Sequence, residues 1–402
     1  MIIGIIGAGA SGMAAAIEAS QKSDNRIIVF ERHARVGRKL QATGNGRCNL
    51  SNLAVEISQY HGEQVSFVEF ALEKYGVENT LNWFNELGLY TVSESSGKVY
   101  PYSDQANSVV DILRFALDRP NVEVRTASEV LRVKKHEIGF VVDVQDQQVY
   151  CDRLIIACGG LAGTKLGGSM SGYKLLGKFG HRCTRLRPAL VQLKSDWTGV
   201  ASLKGVRANC SIRILKNEDI YAQSEGELQF TEYGISGPVV FEVSRDACVG
   251  AADWYAEIDF IPCMTQEQLY NELLKRKQSC LPVSELLTGI LHNRLGRVLT
   301  QTVGLSASEP ISNLNDSQLF DVCCCVKTLK ISLTEPMGMD CAQVTAGGIE
   351  TSQFDPCTME SKLVSGLYAC GEVLDIDGNC GGFNLQWAWS SGRLAGANAG
   401  KD

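Results

Sequence analysis

Six residues near the amino terminus have the types and spacing that bind a dinucleotide. They are Gly7-Ala8-Gly9-Ala10-Ser11-Gly12, a G-x-G-x-x-G loop. In such a loop the first glycine permits a tight turn, the second lets the backbone approach a pyrophosphate, and the third lets a helix pack on a strand. Free N–H groups at the start of that helix attract phosphate. The pattern predicts that this loop holds the diphosphate of a bound dinucleotide.

An acidic residue follows the loop at about twenty residues, the usual spacing for a ribose-binding carboxylate. Glu31 ends the apolar run 27–30, which predicts a buried parallel strand. A second apolar run, 2–6, precedes the loop, and the helix-forming residues 13–19 follow it. The strand before the loop, the helix after it and the terminal acid support a dinucleotide-binding role for the glycine motif. The motif alone would be weak evidence for that role. Because Glu31 would repel a 2′-phosphate, we expect FAD or NAD there rather than NADP.

A second glycine-rich stretch, residues 37–49, is cationic. Its Gly44-Asn45-Gly46 segment is suited to left-handed or strained backbone conformations. Arg38, Lys39 and Arg47 can neutralise phosphate charge. The residues alone leave two interpretations open, a solvated basic loop and a loop that faces the phosphates.

Three later segments have the pattern of nucleotide-binding strands and helices. The apolar strand 154–158 ends in Gly159-Gly160, and the strand 367–370 ends in Gly371-Glu372. Asn384 is expected to be the N-cap of a helix that runs to Ala399. The positive end of that helix would stabilise negative charge on a reduced flavin.

The run Gly37-Arg38-Lys39-Leu40-x-x-Thr43-Gly44-Asn45-Gly46-Arg47-Cys48-Asn49 resembles the signature of the BaiN/RdsA-type (YhiN-like) family of FAD-dependent oxidoreductases. Segments 231–238, 344–349, 367–375 and 381–392 resemble the same family, so the resemblance spans essentially the whole chain. The family fold is similar to that of two-dinucleotide-type flavoproteins and of fumarate reductase flavoprotein subunits. The resemblance implies that the 37–49 loop passes the pyrophosphate and brings backbone N–H groups near the flavin ring.

The motifs and the resemblance together define the residues expected to bind FAD. Glu372 is expected to bond a ribityl hydroxyl, as the acid at this position commonly does in FAD enzymes. The complete predicted set is Gly7, Gly9, Ala10, Ser11, Gly12, Glu31, Arg32, Arg38, Lys39, Thr43, Gly44, Asn45, Gly46, Arg47, Cys48, Val130, Gly159, Gly371, Glu372, Asn384 and Leu385.

Composition restricts the class of protein. The net charge of −7 provides no basic surface for nucleic acid or anionic lipid, and no run of eighteen apolar residues predicts a membrane span. The apolar residues 2–6 are too few, and lack the basic flank, for a signal peptide. Fifteen cysteines occur without C-x-x-C spacing, so we expect no metal site, and the chain fits a reducing cytoplasm.

The predicted fold class is α/β, and 402 residues imply about two or three domains. We expect a discontinuous Rossmann-like FAD-binding domain of the two-dinucleotide flavoprotein type, formed by residues 1–193 and 339–402. Residues 194–338 show strand and helix patterns but no glycine-rich loop after a strand. They predict an inserted β-rich and helical domain that caps a substrate site.

The presence of one complete dinucleotide motif restricts the possible function. If FAD occupies that site, NADH or NADPH has no domain of its own and would act only as a transient electron donor. The resembled family includes reductases of activated C=C bonds in steroid-like substrates and members described as amine oxidases. We therefore expect a reductase of a small steroid-like or enone substrate, with a flavin-dependent amine oxidase as the alternative. A non-catalytic dinucleotide-binding sensor or scaffold is the alternative of another class.

Alkene reduction needs a hydride donor and a proton donor on the opposite face of the bond. Asn45 is a candidate because its backbone N–H would lie near the flavin ring. Tyr100, Tyr102 and Tyr173 are candidate proton donors by their chemistry, and Cys48 is another. Their spacing distinguishes none of them, so the sequence leaves the catalytic acid open, together with the oligomeric state.

Overall fold

The computed structural model describes residues 1–145, 147–245, 247–248 and 253–401. The chain forms two compact units, one comprising Met1–Arg187 with Gln343–Asp402 and the other comprising Pro188–Ala342. The inserted segment predicted from the sequence, 194–338, lies inside the second unit. The last residue of the predicted 339–402 segment lies outside the described residues.

The helices and strands are numbered in chain order. The described residues form the helices α1 Ala10–Ala19, α2 Arg38–Ala42, α3 Glu69–Lys74, α4 Val77–Glu86, α5 Ala106–Ala116, α6 Ser171–Gly177, α7 Gly199–Ser202, α8 Pro238–Val243, α9 Gln266–Arg276, α10 Asn293–Thr302, α11 Asp316–Lys327 and α12 Phe383–Ala399. They form the strands β1 Ile2–Ile6, β2 Arg26–Phe30, β3 Ser51–Asn52, β4 Tyr60–His61, β5 Thr91–Ser93, β6 Lys98–Pro101, β7 Val122–Arg125, β8 Val130–Lys135, β9 Phe140–Val144, β10 Gln147–Cys151, β11 Arg153–Ile156, β12 Arg187–Ala189, β13 Leu193–Lys194, β14 Arg207–Lys216, β15 Asp219–Phe230, β16 Gly234–Ser236, β17 Trp254–Asp259, β18 Leu329–Leu333, β19 Val344–Ala346, β20 Leu367–Ala369 and β21 Asp377–Gly378. Short 3-10 segments occur at Thr43–Gly46, Ile57–Gln59, Val65–Val68, Thr164–Leu166, Val283–Glu285, Ile311–Asn313, Thr351–Gln353 and Gly371–Val373.

A parallel sheet organises the first unit. Among the described residues its strand order is β20-β11-β1-β2-β7. Ile5 of β1 lies opposite Val29 of β2 and Ile155 of β11, and all three side chains are buried. Runs of branched apolar residues suit strands that are covered on both faces. The chain moves outward from β1 to β2 and β7, then crosses to β11 and β20. This reversal beside β1 creates a crevice at the carboxyl ends of the strands.

Helices α1 and α12 pack at very short range in the first unit. A Cβ atom at Gly392 would overlap the carbonyl oxygen of Ser11, and one at Gly396 would overlap that of Ala15. Only glycine permits this approach, because no other residue lacks a Cβ atom. The contact places Ser11, in the first turn of α1, beside Gly392 in the middle of α12.

The second unit has its own core and sheet. Its described strands follow the order β13-β16-β15-β14-β17-β18, and their pairing is antiparallel. Ile212, Phe230, Leu273 and Val322 are fully buried between the sheet and the helices. Along β17, buried residues alternate with half-buried ones, which explains the period-two pattern of the sequence there.

Membrane-spanning helices and metal-binding clusters are both absent from the described ranges. In those ranges, no helix has both the length and the apolar character needed to cross a lipid bilayer. Within the same residues, no group of three or more His, Cys, Asp or Glu side chains is arranged to hold a metal ion.

Candidate functional site

Most of the predicted nucleotide-binding residues lie at one edge of the parallel sheet. The G-x-G-x-x-G loop follows β1, and Glu31 follows β2. Gly159 follows β11, and Gly371-Glu372 follows β20. Because carboxyl ends of parallel strands meet at the same edge, the four loops surround the crevice beside β1.

The three glycines of the first loop have different surroundings. A Cβ atom at Gly7, whose φ is 105°, would overlap Ala157 O, and one at Gly12 would overlap Gly7 O. At Gly9 a Cβ atom would meet no protein atom within 4 Å. The protein itself therefore requires Gly7 and Gly12, whereas Gly9 borders open space at the start of α1.

This open space fits the diphosphate of FAD. Helix α1 begins at Ala10, and no side chain caps its first N–H groups. Uncapped N–H groups and the helix dipole favour an anion at that end. A second open position exists at Gly159, where a Cβ atom would also meet nothing within 4 Å. The residues present are thus compatible with FAD, with Gly9 and α1 at the diphosphate.

The Glu31 carboxylate is buried and links two backbone segments. Its Oε2 accepts a hydrogen bond from Ala8 N at 3.0 Å, and its Oε1 accepts one from His33 N at 2.8 Å. Ser128 N donates to Glu31 O at 2.8 Å, two residues before Val130 begins β8. Glu31 is therefore fixed next to the glycine loop and near Val130, and each carboxylate oxygen keeps a lone pair for a ribose hydroxyl.

Arg32 and Arg38 are anchored on the loop at 165–167. Arg32 donates to Gly167 O at 2.7 Å, and Arg38 donates to Lys165 O at 3.1 Å. Both guanidinium groups also lie within 3.2 Å of ring nitrogens of His33. Burial and these two cations lower the pKa of His33. The cluster retains positive charge near the nucleotide crevice, as a phosphate-binding role requires.

Lys39 and Glu372 form an ion pair across the site. Lys39 Nζ lies 2.6 Å from Glu372 Oε2, and Thr345 N donates to Glu372 Oε1 at 2.9 Å. The Thr345 hydroxyl accepts hydrogen bonds from Leu161 N at 2.9 Å and Ala162 N at 2.8 Å. The structure thus brings together two predicted FAD residues that are far apart in sequence. The separate roles of Lys39 at a phosphate and Glu372 at the ribityl chain stay predictions.

The loop from Thr43 to Cys48 has the left-handed backbone that its sequence predicts. The φ angles of Gly44, Asn45, Gly46 and Cys48 are 58°, 56°, 87° and 63°. Thr43 Oγ1 donates to Leu40 O at 2.7 Å and so joins the loop to α2. Asn45 and Gly46 are exposed, and a Cβ atom at Gly46 would meet nothing within 4 Å. Backbone groups of this loop are therefore accessible to a ligand.

Arg47 is paired with two carboxylates. Its guanidinium donates to Glu94 Oε1 at 3.0 Å and to Asp104 Oδ1, and it lies 3.9 Å from the centre of the Tyr100 ring. The hydrogen bond to Asp104 is the main cause that raises the pKa of Arg47. Two carboxylates offset its charge, so the predicted phosphate contact of Arg47 lacks support from the geometry and stays a prediction.

The candidate tyrosines occupy different environments. Tyr100 is 7% exposed and packs on the left-handed loop, since a Cβ atom at Gly44 would lie 3.3 Å from its ring. Burial, followed by the nearby Glu94, raises the pKa of Tyr100. Tyr102 is 76% exposed, and Tyr173 is buried with a pKa raised mainly by burial. Of the three, Tyr100 lies against the loop expected to face the flavin.

The start of α12 corrects one prediction. Asn384 is not the N-cap, because the helix begins at Phe383 after Gly382, whose φ is 109°. A Cβ atom at Gly382 would overlap Ser51 O, so a side-chain cap does not fit there. Asn384 instead accepts from Gly378 N at 2.8 Å and donates to Gly378 O at 2.6 Å. Leu385, in the same first turn, is partly buried against the core.

Side chains of α12 that the sequence analysis did not single out hold two of the site loops. Trp389 Nε1 donates to Leu50 O at 3.0 Å. Trp387 Nε1 donates to Gly371 O at 3.3 Å, and Gly371 N donates to Ser391 Oγ at 3.0 Å. The two tryptophans at 387 and 389 were the available signal, since the indole N–H of a buried Trp normally has a hydrogen-bond partner.

Cys48 is expected to resist alkylation in the native protein. Its side chain is fully buried, and burial raises the pKa of its thiol to about 12. Only the thiolate reacts with iodoacetamide, so at about pH 8 labelling should be confined to exposed thiols. Peptide mass spectrometry should find label on the exposed Cys263, Cys280 and Cys357 and not on Cys48. Urea-unfolded protein is the control, in which Cys48 should label fully; equal native labelling at all four would contradict its burial.

Comparison with known proteins places the chain in a family. A family model described as the HI0933-like protein Rossmann domain matches residues 1–398. The chain belongs to this family. A relative from Clostridium scindens, a 3-dehydro-bile acid delta(4,6)-reductase, is 40% identical over 99% of this chain and 98% of its own length. A ribosomal RNA dihydrouridine synthase from Escherichia coli is 33% identical over 96% of this chain and 95% of its own length.

One solved structure is similar to this chain in fold. The 3-ketosteroid delta1-dehydrogenase from Sterolibacterium denitrificans matches with a TM-score of 0.50 and 11% identity, covering 99% of each chain. The predicted family, the α/β fold class with its Rossmann-like domain, and the enzyme class of FAD-dependent oxidoreductases are confirmed.

Proposed function

We propose that this protein reduces a C=C bond conjugated to a carbonyl group in a small, apolar, steroid-like substrate. The observation that carries the proposal is the close relationship, over nearly the whole chain, to a 3-dehydro-bile acid delta(4,6)-reductase. The dinucleotide cradle at Gly9 and the start of α1 supports it, because such a reduction needs a bound hydride carrier.

The names of the two relatives describe related chemistry. A delta(4,6) 3-oxo steroid carries alkenes conjugated to a carbonyl, and the uracil ring of uridine also carries an alkene next to a carbonyl. Dihydrouridine differs from uridine by saturation of that alkene. The reaction class is therefore supported by both relatives, whereas the substrate class is not.

Charge and sequence similarity favour the small apolar substrate. The net charge of −7 opposes approach to RNA, whose binding relies on cationic contacts to phosphates. The bile acid reductase is also more similar to this chain than the dihydrouridine synthases are. An RNA substrate is therefore the second candidate. The two candidates are distinguished by whether a steroid or a uridine-containing oligonucleotide reoxidises the reduced flavin faster.

In this proposal FAD, once reduced by an external donor such as NADH or NADPH, would supply the hydride, and residues of the first unit would bind the cofactor and move the proton. The Gly9 region and α1 hold the diphosphate, and the Glu31 carboxylate orients the ribose. The first N–H groups of α12, which no side chain caps, would favour an anionic part of the bound cofactor at that end of the helix. Tyr100 Oη is the proposed proton source, because its ring lies against the left-handed loop and a tyrosine hydroxyl is protonated near neutral pH.

The activity is tested with anaerobic stopped-flow spectroscopy on the purified protein. NADH and NADPH are compared as reductants, and the reduced protein is then mixed with a 3-oxo-4,6-diene steroid or a uridine-containing oligonucleotide. Fast flavin reoxidation by the steroid, with a saturated product, is expected. Faster reoxidation by the oligonucleotide would favour the RNA substrate, and flavin reduction by a primary amine would favour an amine oxidase. A protein that binds no flavin would overturn the proposal in favour of a scaffold.

Tyr100→Phe should retain FAD but slow reoxidation by the steroid by about 100-fold, the usual effect of losing a general acid. The phenyl ring keeps the packing on Gly44 and the contact with Arg47, so the flavin absorbance and affinity should stay unchanged. Tyr102→Phe is the matched control, because that hydroxyl belongs to an exposed side chain, and its rate should equal the wild-type rate. Equal rates in both variants would exclude Tyr100 as the proton source.

A further inference from the structure

Thr345 is a buried residue of β19 that joins two other segments of the first unit. It is 1% exposed, and its hydroxyl oxygen accepts hydrogen bonds from Leu161 N at 2.9 Å and Ala162 N at 2.8 Å. Its own N–H donates to Glu372 Oε1 at 2.9 Å. A hydroxyl oxygen has two lone pairs, so both acceptor positions of Thr345 are in use. One residue therefore holds the loop after β11 and the acid after β20 in a fixed relation.

Gly160, in the loop after β11, lies against both of these polar groups. A Cβ atom at Gly160 would lie 2.4 Å from Glu372 Oε1 and 2.5 Å from Thr345 Oγ1. Such distances leave no room for a side chain unless those groups move, so glycine permits this packing. Because the loop packs directly on the Glu372 carboxylate, a shift of the loop also shifts the carboxylate.

The Glu372 carboxylate is accessible to a ligand. Its side chain is 19% exposed, and that of its partner Lys39 is 32% exposed. A carboxylate has about four lone-pair positions, and Thr345 N and Lys39 Nζ use two of them. Beside Gly160, a Cβ atom at Gly159 would meet no protein atom within 4 Å. Acceptor positions on Glu372 are therefore available for hydroxyl groups such as those of a ribityl chain.

We propose that Thr345 is a positioning residue for FAD, and that its hydroxyl group keeps the Glu372 carboxylate in place for the ribityl chain. This inference rests on the proposed function, since it assumes FAD in the dinucleotide site. Thr345 acts through Glu372 and the loop after β11, because its own side chain is buried among protein atoms. ADP shares the adenosine and the diphosphate with FAD but has no ribityl chain. The role of Thr345 therefore concerns the binding of FAD and not that of ADP.

The first test compares FAD with ADP as ligands of the deflavinated protein. Thr345→Val nearly keeps the shape of the side chain but leaves Leu161 N and Ala162 N without their acceptor. Isothermal titration should show an FAD affinity about tenfold lower than that of the wild type and an unchanged ADP affinity. Thr345→Ser restores the hydroxyl and should bind both ligands as the wild type does. Equal losses for FAD and ADP in Thr345→Val, or no loss for either, would overturn the proposal.

The second test asks whether Thr345 acts through Glu372. FAD affinity is measured for Glu372→Gln, for Thr345→Val and for the double variant. Residues that act together on one contact give losses that do not add. Thr345→Val should therefore lower FAD affinity by no more than about twofold when Glu372 is already glutamine. The same tenfold loss in both backgrounds would show that Thr345 acts without Glu372.

Gly160→Ala displaces the same carboxylate while Thr345 stays in the chain. The added Cβ atom would meet Glu372 Oε1, the end of a flexible side chain, and Thr345 Oγ1. This variant should also lower FAD affinity and keep ADP affinity, and it provides the comparison if Thr345→Val does not fold. A Gly160→Ala protein that binds FAD as tightly as the wild type would contradict the proposal.

Thr300→Val is the matched control, because it makes the same substitution at a buried threonine of the second unit. Thr300 is 1% exposed, and its hydroxyl donates to Arg297 O at 3.0 Å. This variant should bind FAD and ADP as the wild type does, and a selective loss of FAD affinity here would overturn the assignment to Thr345. Failure of the wild type to bind FAD would overturn the proposed function with the inference, whereas an unselective Thr345→Val would overturn the inference alone.

Discussion

Gly12→Ala is expected to lower the free energy of unfolding by about 3 kcal/mol, the upper end for forcing an added methyl into a packed region. The new Cβ atom would overlap Gly7 O and would also lie 3.3 Å from the Ala157 side chain. A backbone oxygen cannot rotate away as a flexible side chain can, so the loop and α1 must separate. FAD binding should be lost with the loop geometry. Urea denaturation and a flavin titration measure the two effects.

Gly9→Ala is the matched control, because it adds the same methyl group in the same loop at a position where the methyl group clashes with no protein atom. Its Cβ atom would meet no protein atom within 4 Å, and the φ of −84° at Gly9 is accessible to alanine. The free energy of unfolding should therefore change by no more than about 0.5 kcal/mol. FAD affinity should still fall by at least about tenfold, because the methyl group occupies space assigned to the diphosphate. Unchanged affinity in Gly9→Ala would remove the diphosphate from this position.

Arg393→Met should lower the free energy of unfolding by about 3–5 kcal/mol, as is typical when one partner of a buried ion pair is removed. Arg393 Nε lies 2.5 Å from Glu18 Oε1, and its Nη1 donates to Asn79 Oδ1 at 2.6 Å. The guanidinium also lies 4.4 Å and 4.9 Å from the ring centres of Tyr75 and Trp83. The variant would leave the buried Glu18 carboxylate without its cation. Tryptophan fluorescence during urea denaturation reports the change.

Two controls show whether burial causes this effect. Asp111→Ala breaks the exposed ion pair with Arg114 and should cost about 0–1 kcal/mol. The double variant Glu18→Leu with Arg393→Met removes both charges and should recover much of the stability lost in Arg393→Met. A cost below about 1 kcal/mol for Arg393→Met would mean that the pair behaves like a surface pair.

The local features of the site followed from the sequence because they depend on neighbouring residues. The order strand, glycine loop, helix, strand and acid is encoded within the first 31 residues, and the structure has β1, α1 and β2 in those places. The left-handed backbone at Gly44 and Asn45 also follows from local preferences, since glycine and asparagine tolerate positive φ. The prediction of an inserted segment at 194–338 rested on the absence of a glycine-rich loop after a strand in that part of the sequence.

The start of α12 shows where local reasoning was insufficient. Asn384 is a good N-cap residue by type, but the helix start is decided by the approach of Ser51, which leaves room only for glycine at 382. Asn384 then bonds the short strand β21 instead. A contact between residues more than three hundred positions apart overrode a preference that was correct for an isolated helix.

The sequence by itself determined the Rossmann-like fold, the dinucleotide motif and the residues that form its loops, because turn chemistry and hydrophobic periodicity act over a few residues. Only the tertiary structure decided which of those residues pair with each other. It joined Lys39 to Glu372, directed Arg47 to Glu94 and Asp104, and left the Asn49 oxygen unpaired. Charge and hydrogen-bonding capacity are visible in a residue type, but the partner that satisfies them depends on how distant segments pack.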